Sequence, residues 1–204
     1  TRIEYLLKLY PDAKFLVFIR NPVNHIASLM KQNRVFTELG LESKRTLKMS
    51  QIIGHHEFGT DRVCINTDNN EVLKAVREHW ASGRDVRGWA VYWASVYSWV
   101  AQRLHDNPAL ADAVRVVRYE ELCADSERII DGIQAHTGLD AEQFSPLRDE
   151  YSERLKPPTY YKAKFSDAEL EDISEVAGDA AAQFGYVETE DVVRFEPRPQ
   201  AALH

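Results

Sequence analysis

The hydrophobic pattern of the chain contains two short apolar runs separated by long stretches of helical spacing. Phe15 to Ile19 is an uninterrupted apolar run, which predicts a strand covered on both faces, as in a parallel sheet. Val114 to Tyr119 predicts a second strand about a hundred residues later. We therefore predict an α/β fold, helix-rich, with a parallel β-sheet flanked by helices.

Helical periodicity and capping residues predict six helices around these strands. They begin at Ile3, Pro22, Glu71, Asp85, Asp125 and Ser166, and they end near Tyr10, Asn33, Ala81, Leu104, Gly138 and Gly185. Residues 36–70 are of mixed character, with Gly40, Gly54, Gly59 and the polar cluster 66–70 marking loops. The tail 187–204 is predicted to be extended. We find no internal repeat and no linker, so we predict a single domain over residues 1–204.

Composition narrows the class of partner. The 204 residues are 44% hydrophobic and 28% charged, typical of a globular protein, and carry a net charge of −7. This acidic balance argues against binding to nucleic acid or to an anionic membrane surface. Two cysteines and no membrane span or signal peptide favour a cytoplasmic location. Because the chain begins at Thr1, without methionine, inside a helical pattern, we expect it to be part of a longer protein.

The end of the first strand carries residues suited to an anion. Arg20 follows the strand, Asn21 can accept hydrogen bonds from a helix start, and Pro22 fits the first helical position. Ligands of open α/β sheets bind at the carboxyl ends of the strands, and a helix N-terminus favours anions. The planar guanidinium of Arg20 suits phosphate. An arginine and a proline in these positions are also ordinary in α/β proteins without a ligand.

Arg20, Pro22 and Ser28 resemble, position for position, the 3′-phosphate-binding motif of the sulfotransferases that use 3′-phosphoadenosine 5′-phosphosulfate (PAPS). The resemblance implies that Arg20 and Ser28 bind the 3′-phosphate. Tyr119-Glu120-Glu121-Leu122, followed by a helix ending in Gly-Leu, is similar to a second block of this family. It implies that Tyr119 packs near the adenine, although a buried tyrosine anchoring the strand end is the alternative.

A third similarity to bacterial sulfotransferase-like proteins lies near the C-terminus. It consists of Pro158-Thr159-Tyr160-Tyr161 and of the ending Phe184-Gly185-Tyr186. A basic loop near the C-terminus closes over the 3′-phosphate in several sulfotransferases. Lys162 and Lys164 do not align with the pattern of that loop, and we expect them to be exposed to solvent.

The resemblance implies a sulfotransferase-like fold, with a topology like that of P-loop NTP hydrolases. It also implies transfer of a sulfuryl group from PAPS to a hydroxyl or amine, with 3′-phosphoadenosine 5′-phosphate (PAP) as product and no metal. The acceptor would be a small molecule, a glycan or a lipid. The family's glycine-rich phosphosulfate loop is not found in this sequence. The alternative is therefore a non-catalytic nucleotide-binding or interaction domain. A kinase relative is a third option, against which the sequence shows no Walker lysine.

The catalytic base is unassigned. His25 follows Arg20 closely, and His55-His56-Glu57 is a second cluster whose spacing does not suit zinc. Trp89 and Trp93 fit the core stripe of the longest helix. Tyr92 and Trp99 lie off that stripe and are candidates to line an apolar acceptor pocket, with core packing as the alternative.

Overall fold

The computed structural model describes residues 2–54, 56–156, 164–189 and 195–197. These residues form two compact units, each assembled from segments that are distant in sequence. The first unit comprises Thr1–Asn21, Val100–Lys162 and Glu196–His204, and the second comprises Pro22–Trp99 and Ala163–Phe195. The prediction of a single domain over residues 1–204 stays a prediction.

Helices make up most of the described chain. In chain order they are α1 (Ile3–Leu9), α2 (Pro22–Glu42), α3 (Lys44–Ile52), α4 (Asn70–Ala81), α5 (Asp85–Asp106), α6 (Pro108–Ala113), α7 (Tyr119–Ala124), α8 (Ser126–Thr137), α9 (Ala141–Arg154) and α10 (Asp167–Gln183). No helix among the described residues is long and apolar enough to cross a membrane.

A parallel pair of strands lies in the first unit. β1 (Phe15–Ile19) pairs with β2 (Val114–Arg118) in a register that places Phe15 opposite Val114 and Ile19 opposite Arg118. Both strands lie where the apolar runs predict them, although Tyr119 begins α7 rather than ending β2. The chain is therefore helix-rich with a small parallel sheet, which is compatible with the predicted α/β class.

The expectation that β1 is covered on both faces is wrong for Phe18, which is 51% exposed, whereas Ile19 is buried. In the part of the chain that the structure describes, β1 pairs with β2 alone. A strand with one neighbour is less enclosed than a central strand, so an apolar run alone does not guarantee burial of every side chain. The core of the first unit lies instead around Val117, Leu122, Ile129 and Ile130.

The predicted helix caps are present. The carboxylate of Asp125 accepts a hydrogen bond from the backbone N–H of Arg128 at the start of α8, and Gly138 ends that helix in the left-handed conformation at φ 69°. Ser166 and Glu169 form a reciprocal capping box at the start of α10. These caps were predictable because their partners lie within three or four residues.

The predictions that α2 ends near Asn33 and that Gly40 marks a loop are wrong. α2 continues through Gly40 to Glu42, and α3 follows almost directly. A glycine inside a helix costs about 1 kcal/mol relative to alanine, which tertiary packing can offset. Here Phe36 of α2 packs its ring against Phe58, with ring centroids 5.7 Å apart.

The second unit has its own buried residues on α2, α4, α5 and α10, among them Ile26, Val76, Trp89, Trp93 and Ile173. The expected placement of Trp89 and Trp93 in the core is confirmed. α10 is followed by β3 (Tyr186–Glu188), which pairs with β4 (Phe195–Pro197). Of the tail 187–204 predicted to be extended, the structure describes residues 187–189 and 195–197, most of which lie in these two strands, and Phe195 is buried.

Candidate functional site

The parallel register brings the two sequence motifs of the first unit together. Because Ile19 and Arg118 are opposite each other, β1 and β2 end at the same edge of the sheet. Arg20 is the residue after β1, and Tyr119 is the residue after β2. The guanidinium carbon of Arg20 lies 5.1 Å from the centroid of the Tyr119 ring, which is cation–π distance. Arg20 and Tyr119 are both half-buried.

The next residue of each motif reinforces this contact. The backbone N–H of Asn21 and its side-chain Nδ2 both donate to Oε1 of Glu120, at 3.0 and 2.9 Å. Asn21 is 7% exposed. Its side chain therefore donates to a carboxylate on the neighbouring motif, in addition to any role at the start of α2. Contacts at two successive positions therefore hold the residues that follow β1 against the residues that follow β2.

The second glutamate of the motif is also engaged. Arg118, which is buried, donates through Nη2 to Oε1 of Glu121 at 2.5 Å. Glu120 and Glu121 are thus both bound by donors of the same unit. These two carboxylates lie on the residues that follow Tyr119, next to the ends of β1 and β2.

Ser28, the third predicted contact of the nucleotide, lies on α2 in the second unit. Its hydroxyl donates to the backbone carbonyl of Asn24 at 2.9 Å, one helical turn earlier. Serine in a helix often forms this bond. The hydroxyl must rotate away from Asn24 to donate to a phosphate. The structure therefore brings Arg20 to Tyr119 and describes Ser28 as part of the other unit.

An apolar cavity of about 560 Å³ lies within the second unit. Five of its lining residues come from α5 at positions i, i+3, i+4, i+7 and i+8, the spacing of one helical face. The remaining lining residues come from α2 and from the segment 56–65. The full set is His25, Leu29, His56, Glu57, Phe58, Val63, Cys64, Ile65, Trp89, Tyr92, Trp93, Val96 and Tyr97.

His25 lines this cavity in a defined protonation form. The indole Nε1–H of Trp93 donates to Nδ1 of His25 at 3.0 Å. Because tryptophan can only donate, Nδ1 must be unprotonated, and the neutral ring carries its proton on Nε2. In this form Nε2 is a donor, so His25 is not arranged to accept a proton there as a general base. The sequence suggested His25 as a candidate base, whereas the structure makes its Nε2 a hydrogen-bond donor.

Tyr92 supplies a hydroxyl to the cavity wall. Its Oη accepts a hydrogen bond from the backbone N–H of Ile65 at 3.0 Å, and the residue is 7% exposed. Burial raises the pKa of Tyr92 above its ordinary value, and burial raises the pKa of Tyr97 to about 12. Both phenols are therefore neutral at physiological pH. Burial likewise raises the pKa of Cys64, which keeps this thiol protonated.

The remaining predicted residues are distributed as follows. His56 and Glu57 line the cavity, as does Tyr92, whereas Trp99 is not among its lining residues. His55, Lys162 and the Pro158-Thr159-Tyr160-Tyr161 segment lie outside the described residues, and Lys164 is exposed. Among the described residues, no cluster of three or more histidine, cysteine or acidic side chains is placed to hold a metal ion.

Sequence reasoning missed the contribution of residues 58–65. Val63-Cys64-Ile65 forms one wall, and Arg62 lies over the ring of Trp80, with its guanidinium carbon 4.0 Å from the centroid. The segment has neither helical nor strand structure. The run of three apolar residues Val63-Cys64-Ile65 was the available signal, but a short apolar run does not indicate which helix it packs against.

Comparison of this chain with protein-family models, with curated proteins and with solved structures returned no match.

Proposed function

We propose that the chain binds the adenosine 3′-phosphate portion of PAPS at the ends of β1 and β2, and that it is a sulfotransferase. The observation that carries this proposal is the contact between Arg20 and Tyr119, whose guanidinium carbon and ring centroid are 5.1 Å apart. The two residues come from separate sequence motifs, and each motif independently resembles a block that contacts the same nucleotide in the PAPS-dependent sulfotransferases.

The chemistry of the two side chains fits the two ends of such a nucleotide. A guanidinium donates two parallel hydrogen bonds to a phosphate, and an aromatic ring packs against a purine base. The carboxyl ends of parallel strands are the usual ligand-binding edge of an α/β sheet. The resemblance to the family's motif assigns Ser28 to the same phosphate.

In the proposed reaction, an acceptor hydroxyl or amine attacks the sulfur of PAPS in line. A bond forms between the acceptor atom and sulfur, the bond from sulfur to the bridging phosphate oxygen breaks, and PAP leaves with that electron pair. The acceptor proton passes to a base that is not assigned. Such a transfer depends on holding donor and acceptor in register, and Arg20 would contribute by positioning the nucleotide.

A non-catalytic nucleotide-binding domain is the second candidate. In the part of the chain that the structure describes, no glycine-rich loop joins a strand to a helix start. Such a loop supplies the backbone N–H groups that stabilise a leaving phosphosulfate. A non-catalytic domain would therefore bind PAP and PAPS. It would not convert PAPS to PAP when hydroxyl or amine acceptors are added.

Isothermal titration calorimetry with PAP and with 5′-AMP tests the shared element of both candidates. We expect PAP to bind at least about tenfold more tightly than 5′-AMP, because the 3′-phosphate adds a charge-assisted pair with Arg20. Arg20→Ala should remove this preference, whereas Tyr119→Ala should weaken both ligands.

Arg154→Ala is the matched control, because Arg154 is an exposed arginine of the same unit on α9. It should leave the preference for PAP unchanged. Equal affinity of the wild-type protein for PAP and 5′-AMP would contradict the 3′-phosphate site. If PAP is preferred, release of PAP from PAPS with added acceptors then separates the enzyme from the non-catalytic domain.

A further inference from the structure

The cavity of the second unit has the size and walls of a small-molecule site. Its volume of about 560 Å³ falls within the range of about 300–1,000 Å³ in which most ligand pockets lie. Every lining residue belongs to the second unit, whereas Arg20 and Tyr119 belong to the first. A ligand in this cavity therefore contacts none of the residues proposed at the ends of β1 and β2.

The aromatic side chains of the cavity wall pack against one another. Trp89 is stacked on Phe58, with centroids 6.3 Å apart, and tilted against Tyr92 at 6.0 Å. Trp93 packs against Tyr97 at 4.5 Å. Since these rings pack against one another, part of their electron-rich surface is already covered. Less of the negative ring faces is therefore left to bind a cation.

The charged residues around the cavity disfavour an anion and cover ring faces that could bind a cation. Arg62 lies 4.0 Å from the ring centroid of Trp80 and 5.8 Å from that of Trp89, so these rings already bind a cation. The carboxylate of Glu57 lines the cavity and repels anions. An anion would lose its hydration in this apolar space without a cationic lining residue, which is costly.

One buried polar group in the wall can orient a ligand. The hydroxyl of Tyr92 uses its oxygen to accept from Ile65, which leaves the O–H proton to donate. A ligand oxygen that accepts this proton would satisfy a buried donor. A few polar groups at fixed positions in an apolar pocket orient the ligand and provide specificity.

We propose that the second unit binds a neutral, ring-containing apolar small molecule, which accepts a hydrogen bond from the hydroxyl of Tyr92. The ligand lies against the α5 face formed by Trp89, Tyr92, Trp93, Val96 and Tyr97. Leu29 and Cys64 contact it from the other walls.

Three naphthalene probes of similar size and different charge test the ligand class. Binding to the full chain is measured by isothermal titration calorimetry at neutral pH with 2-naphthol, 2-naphthoate and 2-naphthylmethylammonium. We expect 2-naphthol to bind at least about tenfold more tightly than either ion, a difference of about 1.4 kcal/mol. Equal or tighter binding of the carboxylate or of the ammonium ion would overturn the proposal.

Two substitutions test the location. Leu29→Trp fills the cavity from α2 and should abolish binding of 2-naphthol. Gln32→Trp introduces the same side chain at an exposed position of the same helix and should preserve binding. Tyr92→Phe should weaken the binding of 2-naphthol by about 3- to 10-fold, which is the contribution of one hydrogen bond. It should leave the binding of naphthalene unchanged. Unaltered binding of 2-naphthol to Leu29→Trp would place the ligand elsewhere and overturn the proposal.

Alkylation of Cys64 provides a readout that does not need a cavity-filling variant. Cys64 and Cys123 are both unpaired and buried, so Cys123→Ser leaves Cys64 as the one thiol of the chain. We expect saturating 2-naphthol to slow the modification of Cys64 by N-ethylmaleimide, followed by mass spectrometry, by at least about fivefold. Unchanged alkylation of Cys64 at saturating 2-naphthol would show that the ligand does not occupy this cavity.

Discussion

Trp93 and His25 are joined by a hydrogen bond of 3.0 Å from the indole Nε1–H to the imidazole Nδ1, across 68 residues of sequence. This bond decides which tautomer of His25 faces the cavity of the second unit. It also holds a buried tryptophan, 2% exposed, in one orientation. The histidine nearest in sequence to Arg20 is thus a neutral donor with a structural partner, and its side chain belongs to the cavity wall.

Replacing Trp93 by phenylalanine should release this constraint. We expect Trp93→Phe to lower the free energy of unfolding by about 1–3 kcal/mol, because it leaves a void and removes the donor to Nδ1. Nitrogen-15 spectra of the imidazole groups should show the Nε2–H tautomer of His25 in the wild-type protein and a mixture in the variant.

Trp99→Phe is the control for that experiment, because Trp99 lies on the same helix and is not part of the cavity wall. It should leave the tautomer of His25 unchanged. Observation of an Nδ1–H proton on His25 in the wild-type protein would contradict the assignment.

Gly88 allows a close approach of Trp80 to α5. A Cβ built on Gly88 would lie 2.5 Å from Cδ1 and 2.6 Å from Nε1 of Trp80, well inside van der Waals contact. We expect Gly88→Ala to lower the free energy of unfolding by about 1–3 kcal/mol, although alanine is the better helix former. Denaturant titration monitored by circular dichroism measures the change.

Gly178, within α10, is the matched control for Gly88. A Cβ there would meet nothing within 4 Å. Gly178→Ala should therefore raise the free energy of unfolding by about 0.5–1 kcal/mol, which is the helix propensity difference alone. If both substitutions shift stability in the same direction, steric contact with Trp80 is not the determining factor.

Arg87 joins α5 to α10 through two carboxylates. Its guanidinium donates to Asp172 and, through both Nη atoms at 2.9 Å, to Glu175. The hydrogen bonds from Arg87 hold the pKa of Glu175 below its ordinary value. We expect Arg87→Met to have a lower midpoint of thermal unfolding than the wild-type protein at neutral pH. The difference between the two midpoints should be smaller in acid.

The direction of this pH dependence follows from the lowered pKa. Glu175 binds its proton more weakly in the folded state than in the unfolded state, so folding is favoured above the unfolded pKa. That contribution is lost as the pH falls through the folded pKa of Glu175. Thermal unfolding from pH 7 to pH 3 should show the wild-type curve approaching that of Arg87→Met. In the Arg87→Met background, Glu175→Gln should have little further effect.

Glu120 accepts two hydrogen bonds from buried Asn21. Removal of the Glu120 carboxylate should therefore destabilise the contact between the ends of β1 and β2. We expect Glu120→Ala to lower the free energy of unfolding by about 1–3 kcal/mol, because the backbone and side-chain N–H groups of Asn21 lose their acceptor. Chemical denaturation measures the change.

Glu120→Gln keeps an oxygen at the position of the acceptor and serves as the conservative variant. It should recover most of the stability lost in Glu120→Ala. If glutamine and alanine destabilise the protein equally, the charge of Glu120 rather than its hydrogen bonds to Asn21 is responsible.

The amino-acid sequence by itself determined the elements whose signals are local. The five-residue apolar run from Phe15 to Ile19 is a strand, and Asp125, Gly138 and the Ser166–Glu169 box begin or end helices where predicted. Each of these signals acts over three or four residues, so the physical chemistry that produces it is readable in the sequence. Gly40 was misread because packing of α2 outweighed its weak local preference.

The tertiary structure alone decided which of these residues meet. The contacts of Asn21 with Glu120 and of His25 with Trp93 join positions 99 and 68 residues apart. The register of β1 with β2 places Arg20 beside Tyr119, and the packing of α5 against α2 and the segment 56–65 encloses the cavity of the second unit. No local propensity specifies such pairs, because they form only when distant apolar faces are buried together.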